Sequence, residues 1–486
     1  MNRATLELFA PLDRSAPEPL RAQLEDAICA AITGGGAPPG TKLPASRTLA
    51  EALHVSRGVV TEAYAQIAAE GWIEIRRGAA PIVRAVPAAG IGPYGGPQPA
   101  IIKGSDPSTL CSHENPCSEQ DGIVKGSDPR TGVRLDVTAT APDLSAFPRR
   151  VWSAALRRVL AEMPDAALDY GDPRGDDELR AELAAYLVRV RGVVAAELVV
   201  TSGYTQALWL TCRALKARGA TTVAVEDPSL DDAWATIRSA GLEVVGVPVD
   251  EHGLCVDALG ADAVLVTPAH QFPTGAVLAP ARRRALLAWG GIVIEDDYDS
   301  EYRYDRAPVG TLQRLAPDRV VYLGTTSKTL APALRLGWLV GPPDLAGEIA
   351  SERWAVDSGG PAIHARAYAR LLATGEVDRH LRRTRREYRE RRDRLVAALQ
   401  TRLPGCRVTG VAAGLHLLLR LPPLTDEATV VARLAERRIR IRGLAGYRLT
   451  PRPQEPALVI GYGRLPLPAI DAFADQLADV LMSVPP

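Results

Sequence analysis

Lysine is almost missing from this 486-residue chain: Lys42, Lys103, Lys125, Lys216 and Lys328 are all it has. Its other basic side chains are arginines, which stay protonated and cannot condense with an aldehyde, so chemistry that needs an amine nucleophile has few candidates. Net charge is missing too. The 57 basic and 57 acidic side chains cancel, leaving no bulk field to draw in nucleic acid or a membrane. Contact with either must come from a local patch. No run approaches the ~20 apolar residues of a membrane span. Met1 to Leu20 has no apolar core flanked by positive charge, so no secretory leader is expected. The six cysteines are scattered, which suits a reducing cytosol rather than a disulfide framework. Cys111, His113 and Cys117 lie close together, but their spacing is not that of a zinc pair and no fourth ligand set follows. What remains is the composition of a cytoplasmic globular protein with room for more than one domain.

Three zones stand out along the chain. Residues 1–84 carry a compact helical pattern ending in a short strand pair. Residues 85–133 are rich in Gly, Pro, Ser and Asp and contain Lys-Gly-Ser-Asp-Pro twice, at Lys103 and Lys125; such composition buries little and reads as a flexible linker. Residues 134–486 alternate helices and strands. Short apolar runs at 198–201, 222–225, 244–247, 263–266, 292–295, 320–323 and 337–340 predict an α/β fold, a mainly parallel seven-stranded sheet with helices on both faces. Ligands in such sheets bind at strand ends.

In the first zone, Leu20, Leu24, Ala27, Ile28 and Ala31 share one helical face. Pro38-Pro39-Gly40 breaks the chain. Ser46 is placed to cap a helix with the apolar face Leu49, Ala50 and Leu53, and Ser56 to cap the next, with Val59, Val60, Ala63, Tyr64 and Ile67 inward. Two helices joined this way read as a helix-turn-helix, the second offering its first turn to a DNA major groove. Residues 72–75 and 81–84 can pair as a wing with Arg76, Arg77 and Gly78 at its tip. Periodicity alone also allows a protein-interaction module. The wording is more specific. Pro38-Pro39-Gly40-Thr41-Lys42-Leu43-Pro44-Ala45-Ser46-Arg47, Val55-Ser56-Arg57, Ala63-Tyr64 and Glu70-Gly71-Trp72 resemble the winged helix-turn-helix of the GntR regulators. The resemblance implies a double-stranded DNA operator as partner, touched by Arg47, Ser56, Arg57, Gly58, Thr61, Arg77 and Gly78. One departure is visible: Ala79-Ala80-Pro81 follows Gly78 where the family carries a hydroxyl residue.

In the third zone, Thr325-Thr326-Ser327-Lys328 follows a strand, so Lys328 stands at a sheet crevice where it can meet an aldehyde cofactor, with Arg335 near for an anion. Alone, this reads as a surface lysine in a loop. Glu295-Asp296-Asp297-Tyr298-Asp299 follows another strand; a carboxylate there can pair with a protonated pyridine nitrogen or, with its neighbours, hold magnesium. Ser202-Gly203-Tyr204-Thr205 opens a helix whose amides can bind phosphate.

Together with Tyr170-Gly171-Asp172-Pro173-Arg174-Gly175 and Gly337-Trp338, these segments resemble the fold-type-I pyridoxal-phosphate transferases, the aspartate aminotransferase superfamily, which have a smaller C-terminal α+β part. With the GntR-like head, and with Pro268-Ala269-His270-Gln271-Phe272-Pro273-Thr274-Gly275, the whole chain is similar to the MocR subfamily of GabR- and PdxR-type regulators. The resemblance implies pyridoxal 5'-phosphate as cofactor, with Lys328 as its Schiff-base lysine, Asp296 on the ring nitrogen and Tyr298 on the ring hydroxyl. Gly203, Tyr204, Thr205, Thr325, Ser327 and Arg335 would surround the phosphate, and Tyr170 would reach the partner's phosphate. It further implies a homodimer with the head of one chain swapped onto the body of the other. Two departures bear on turnover. Leu230 stands where superfamily members stack an aromatic ring, a loss of ~1 kcal/mol. Val459 stands where amino-acid-processing members clamp a carboxylate with arginine; Arg442 and Arg464 are the substitutes at hand. The expectation is a regulator that senses pyridoxal phosphate or an amine effector, without physiological turnover. The rivals are a working aminotransferase and a DNA-binding protein that has lost its cofactor. The arginine-rich stretch 379–394, interleaved with Glu387, Glu390 and Asp393, is expected to be a solvated helix rather than a DNA contact.

Overall fold

The structure, a computed structural model, describes residues 12–14, 20–33, 36–75, 80–84, 134–194, 197–305, 309–450 and 456–484. The expected linker, the wing-tip residues Arg77 and Gly78 and the group of Cys111, His113 and Cys117 lie outside the described residues.

Three helices form the head: α1 (Leu20–Thr33), α2 (Ser46–Ala52) and α3 (Arg57–Ala69). Leu24, Ile28, Leu49, Val60, Ala63 and Ile67 close its core. Ser56 caps α3, its Oγ accepting from the Val59 amide at 3.3 Å. Ser46 does not cap α2. The extended residue before the helix is Ala45, and Ser46 is already its first helical residue; its hydroxyl instead accepts from Arg57 Nε at 3.4 Å. After α3, β1 (Ile73–Glu74) pairs antiparallel with β2 (Ile82–Val83), as a wing requires. Trp72 is fully buried behind them.

The body is built on an eight-stranded sheet. Its strands are β3 (Glu197–Thr201), β4 (Thr222–Asp227), β5 (Glu243–Asp250), β6 (Gly253–Leu254), β7 (Ala263–Val266), β8 (Ile292–Asp296), β9 (Val320–Thr325) and β10 (Gly337–Gly341). They lie in the order β3-β10-β9-β8-β7-β4-β5-β6, with β10 and β6 antiparallel to their neighbours. Seven of these are the expected strands. The eighth, β6, is a two-residue return that no apolar run announces. The sheet is covered on both faces, which is why its strands are continuously apolar. Successive residues alternate between layers: Ile292 and Ile294 join one core with α4 (Tyr204–Ala217), while Val293 joins another with α6 (Pro280–Trp289). A smaller antiparallel sheet holds β11 (Arg407–Thr409), β12 (His416–Arg420), β14 (Ala457–Gly461) and β13 (Arg442–Gly443), in that order.

The head rests on α6 and on α7 (Leu312–Leu315). Arg314 donates to Asp26 at 2.7 Å, Arg284 to the Gly71 carbonyl at 3.2 Å, and the Gly310 amide to Glu70 at 3.0 Å. Leu315 packs against the head core. A Cβ at Gly310 would stand 2.6 Å from the Glu70 carboxylate, which would have to shift to admit it. The arginine-rich stretch is part of α8 (Glu376–Arg402). It ties into the body: Arg391 donates to Asp143 at 2.6 Å, Arg385 to the Glu301 carbonyl at 2.7 Å and Arg383 to the Ala146 carbonyl at 2.8 Å. Among the described residues, no helix is long and apolar enough to cross a membrane.

Candidate cofactor site and DNA-binding face

Asp296 ends β8, Lys328 follows β9 and Gly203 follows β3, so the topology brings three separate sequence segments to one edge of the sheet. They meet at a cavity of about 400 Å³ lined by Tyr204, Thr205, Asp296, Tyr298, Thr325, Ser327, Lys328 and Arg335.

Lys328 Nζ donates to Thr140 Oγ1 at 3.1 Å. Burial pushes its pKa down, and Asp296 and Asp299 oppose that shift. Asp296 is pushed far up by burial, against a hydrogen bond from the Tyr204 hydroxyl. Its Oδ1 is buried and has no partner. Gly203 has φ +99° and precedes α4; a Cβ there would press within 3.3 Å of the Arg335 guanidinium. That close approach leaves helix-start amides and a permanent cation side by side, an anion cradle. Arg335 itself is held at φ +50°, a conformation that costs a non-glycine residue roughly 1–3 kcal/mol. Thr325 Oγ1 and Ser327 Oγ hydrogen-bond at 3.0 Å beside it.

The carboxylates of the acidic run after β8 turn to different partners. Asp297 accepts from Arg191 at 2.6 and 2.9 Å and from the Tyr322 hydroxyl at 2.7 Å. Asp299 is 2.9 Å from His270 Nδ1. The Tyr298 hydroxyl donates to the His270 carbonyl at 3.1 Å.

Of the residues expected around a cofactor, Tyr170 alone stands apart. It is 78% exposed and meets Trp354 edge-on, with ring centroids 6.2 Å apart. Tyr204 contributes more than its helix-start position, because its hydroxyl turns to Asp296. Sequence reasoning missed Thr140, which is nearly 190 residues from Lys328, and the cavity residues Glu226 and Asp232. His270 and Asp299 stood in quoted segments but gained a role only through their contact.

Leu230 lines the cavity, and Val459 is fully buried in a cluster with Phe272, Tyr298 and Tyr447. The substitute arginines are engaged. Arg442 donates to both Asp231 oxygens at 3.1 and 3.3 Å, and Arg464 to Asp136 at 3.2 Å.

On the head, Arg47, Ser56, Arg57, Gly58 and Thr61 are all exposed. The last four lie at the start of α3, where Thr61 Oγ1 donates to the Arg57 carbonyl at 2.9 Å. Arg47 pairs with Glu51 at 3.1 Å.

Comparison with known proteins divides the chain the same way. Residues 20–83 match the bacterial regulatory proteins of the gntR family, and residues 139–455 match aminotransferase class I and II. Over 449 residues the chain is 32% identical to the HTH-type pyridoxine biosynthesis transcriptional regulator PdxR of Corynebacterium glutamicum, covering 91% of each. It is 31% identical over 433 residues to the probable rhizopine catabolism regulatory protein MocR of Rhizobium meliloti, covering 86% of this chain and 85% of that one. Among solved structures, the α-aminoadipate aminotransferase LysN of Thermus thermophilus, complexed with N-(5'-phosphopyridoxyl)-L-leucine, superposes with a TM-score of 0.65 at 26% identity. The match covers 72% of this chain and 92% of LysN.

Proposed function

Because the chain belongs to the regulators that join a gntR-family head to a class I and II aminotransferase domain, we propose that it is a cytoplasmic DNA-binding transcription regulator whose body binds pyridoxal 5'-phosphate. The body reports that cofactor, or an amine that meets it, to the head. The observation that carries this reading is the cavity: it keeps a partly buried amine, an orphaned carboxylate oxygen and an anion cradle, while Val459 is fully buried at the position of a carboxylate clamp.

The residues present fit the cofactor. When bound, pyridoxal phosphate supplies an aldehyde that condenses with a primary amine and a ring that withdraws electrons. Lys328 is the amine. Its depressed pKa leaves more of it unprotonated and nucleophilic near neutrality. Asp296 Oδ1 would hold the proton of the ring nitrogen, and the Tyr204 hydroxyl fixes the carboxylate's orientation. The Tyr298 hydroxyl would serve the ring hydroxyl. Arg335, Thr325, Ser327 and the turn Gly203, Tyr204, Thr205 would take the phosphate. Tyr170, exposed beside Trp354, suits a homodimer in which it reaches the partner's phosphate.

The head reads an operator through Arg47, Ser56, Arg57, Gly58 and Thr61, with Arg77 and Gly78 of the wing tip on the backbone. The seat on α6 and α7 is the contact through which the body restrains it. In the homodimer that seat holds the partner's head. The effector is the cofactor itself or an amine without an α-carboxylate. A ligand changes DNA affinity only if it favours one head arrangement over another. Footprinting on DNA upstream of the protein's own gene, with and without pyridoxal phosphate, tests the proposal. A cofactor-dependent change in protection supports it, and identical footprints at saturation count against it.

A further inference from the structure

The walls of the cavity include the first turn of α5 (Asp231–Ser239) and the rings of Phe272 and Tyr298. Against those two rings, outside the lining, sit His270, Asp299 and His416, each at most 3% exposed. His416 meets Phe272 with ring centroids 5.1 Å apart, and the Tyr298 hydroxyl is 3.2 Å from His270 Nδ1. The three come from separate segments. His270 lies in the loop after β7, Asp299 in the run after β8, and His416 opens β12 of the smaller sheet. Each offers one ligand atom, and these atoms lie within 4.8 Å of one another.

His270 and Asp299 are already joined, Nδ1 to Oδ2 at 2.9 Å. The backbone of Gly414, at φ +71°, closes one side of that pair, and a Cβ there would collide with both atoms. The ring of His416 stands 4.9 Å from that of His270, centroid to centroid. Neither ring nitrogen of His416 makes a well-formed hydrogen bond, although the Pro273 carbonyl is near enough to favour a proton on the ring. Leaving a buried polar group unmet in this way costs about 1–3 kcal/mol. A second imidazole and a carboxylate stand beside it. Two imidazoles and one carboxylate are the nitrogen and oxygen donors that zinc and its neighbours take, whereas magnesium and calcium want oxygen alone.

We infer that His270, Asp299 and His416 bind one divalent transition-metal ion, zinc in the simplest case, which pins the smaller sheet to the main one. Bonds of about 2.0–2.2 Å set tetrahedral ligand atoms roughly 3.3–3.5 Å apart, so side-chain movements of about an ångström close the set. The ion takes the place of the proton shared by His270 and Asp299, leaving Nδ1 as ligand and the ring's own proton on Nε2. His416 gives one nitrogen to the ion and turns the other to the Pro273 carbonyl, the outer hydrogen bond that metal-bound imidazoles usually make. The site is separate from the proposed cofactor seat, since none of its three ligands lines the cavity.

The test uses the full-length protein without added pyridoxal phosphate, so its outcome is independent of the proposed function. The parent, His416→Leu and Asp299→Asn are stripped with EDTA, freed of the chelator and titrated with zinc against a chromophoric competitor. The parent should take up one zinc ion that both variants bind at least about tenfold more weakly. That ion should raise the melting temperature of the parent and leave those of the variants unchanged. Taking the difference between parent and variants sets aside zinc held by Cys111, His113 and Cys117 or by the exposed His252. Circular dichroism shows which variants are folded. X-ray absorption of the parent at one equivalent of zinc needs no variant: imidazole and oxygen ligands are expected. Zinc uptake and melting that do not distinguish the parent from a folded variant, or sulfur ligands on the first equivalent, overturn the inference.

Discussion

Glu295 and Asp296 are consecutive residues of β8 whose carboxyl groups face opposite sides of the sheet. Asp296 lines the cavity, while Glu295 accepts from the Leu312 and Gln313 amides at 2.9 and 3.0 Å, at the start of the helix that seats the head. One strand end thus touches both the proposed cofactor site and the support of the head. Removing the Glu295 acceptor strands two buried amides, at about 1–3 kcal/mol each. Glu295→Ala is therefore expected to take up cofactor yet lose most of the cofactor-dependent change in DNA affinity, measured by fluorescence anisotropy. A full response in that variant would remove Glu295 from the route between the sites.

The seat of the head can be trapped. The double variant Asp26→Cys, Arg314→Cys places two thiols where the 2.7 Å ion pair stands. Bridged by a short bifunctional maleimide, a swapped homodimer yields a covalent dimer on a denaturing gel. Monomer alone would put each head on its own body.

Glu226 offers a pH test in the cofactor-free protein. Burial pushes its carboxyl from 4.5 up to about 7. A raised carboxyl favours the protonated fold, so its contribution is present at low pH and lost as pH rises from about 4.5 to about 7. Its hydrogen bonds from Thr267 and Gln271 fall on Oε2, which the oxygen of glutamine can replace. Glu226→Gln should match the parent near pH 4.5 and exceed it above pH 7 by up to about 3 kcal/mol. Urea denaturation across that range gives the difference, and a constant offset would contradict the assignment.

Much of this architecture was legible in the sequence. Seven apolar runs gave the strands, because a sheet covered on both faces leaves no polar positions to interrupt them. The head was legible for a similar reason: Leu24, Ile28, Val60 and Ile67 keep helical spacing. The meeting of the cavity residues was legible where each follows a strand, since strand ends converge at one edge. What lay hidden was made by contact between distant segments: Thr140 against Lys328, Arg191 against Asp297, and Asp231 holding Arg442. Ser46 misled because Ser before an apolar helix looks like a cap whether it stands one residue outside or just inside.

The DNA face predicts a salt signature. Arg57→Ala should weaken operator binding and shallow the plot of log affinity against log salt by about one unit if Arg57 meets a phosphate. Ser56→Ala removes the α3 cap and should cost about 1 kcal/mol of stability as well. Anisotropy titrations at several salt concentrations measure the first, and thermal denaturation the second.

The central claim is that Lys328 holds a cofactor whose presence changes DNA binding. The most direct measurement compares the parent protein with Lys328→Ala on the same operator fragment, with and without pyridoxal phosphate, alongside borohydride trapping and mass mapping. The account predicts a reducible adduct on Lys328 and a cofactor-dependent shift in operator affinity, both absent from the variant. An adduct elsewhere, or operator binding indifferent to the cofactor in the parent protein, would contradict it.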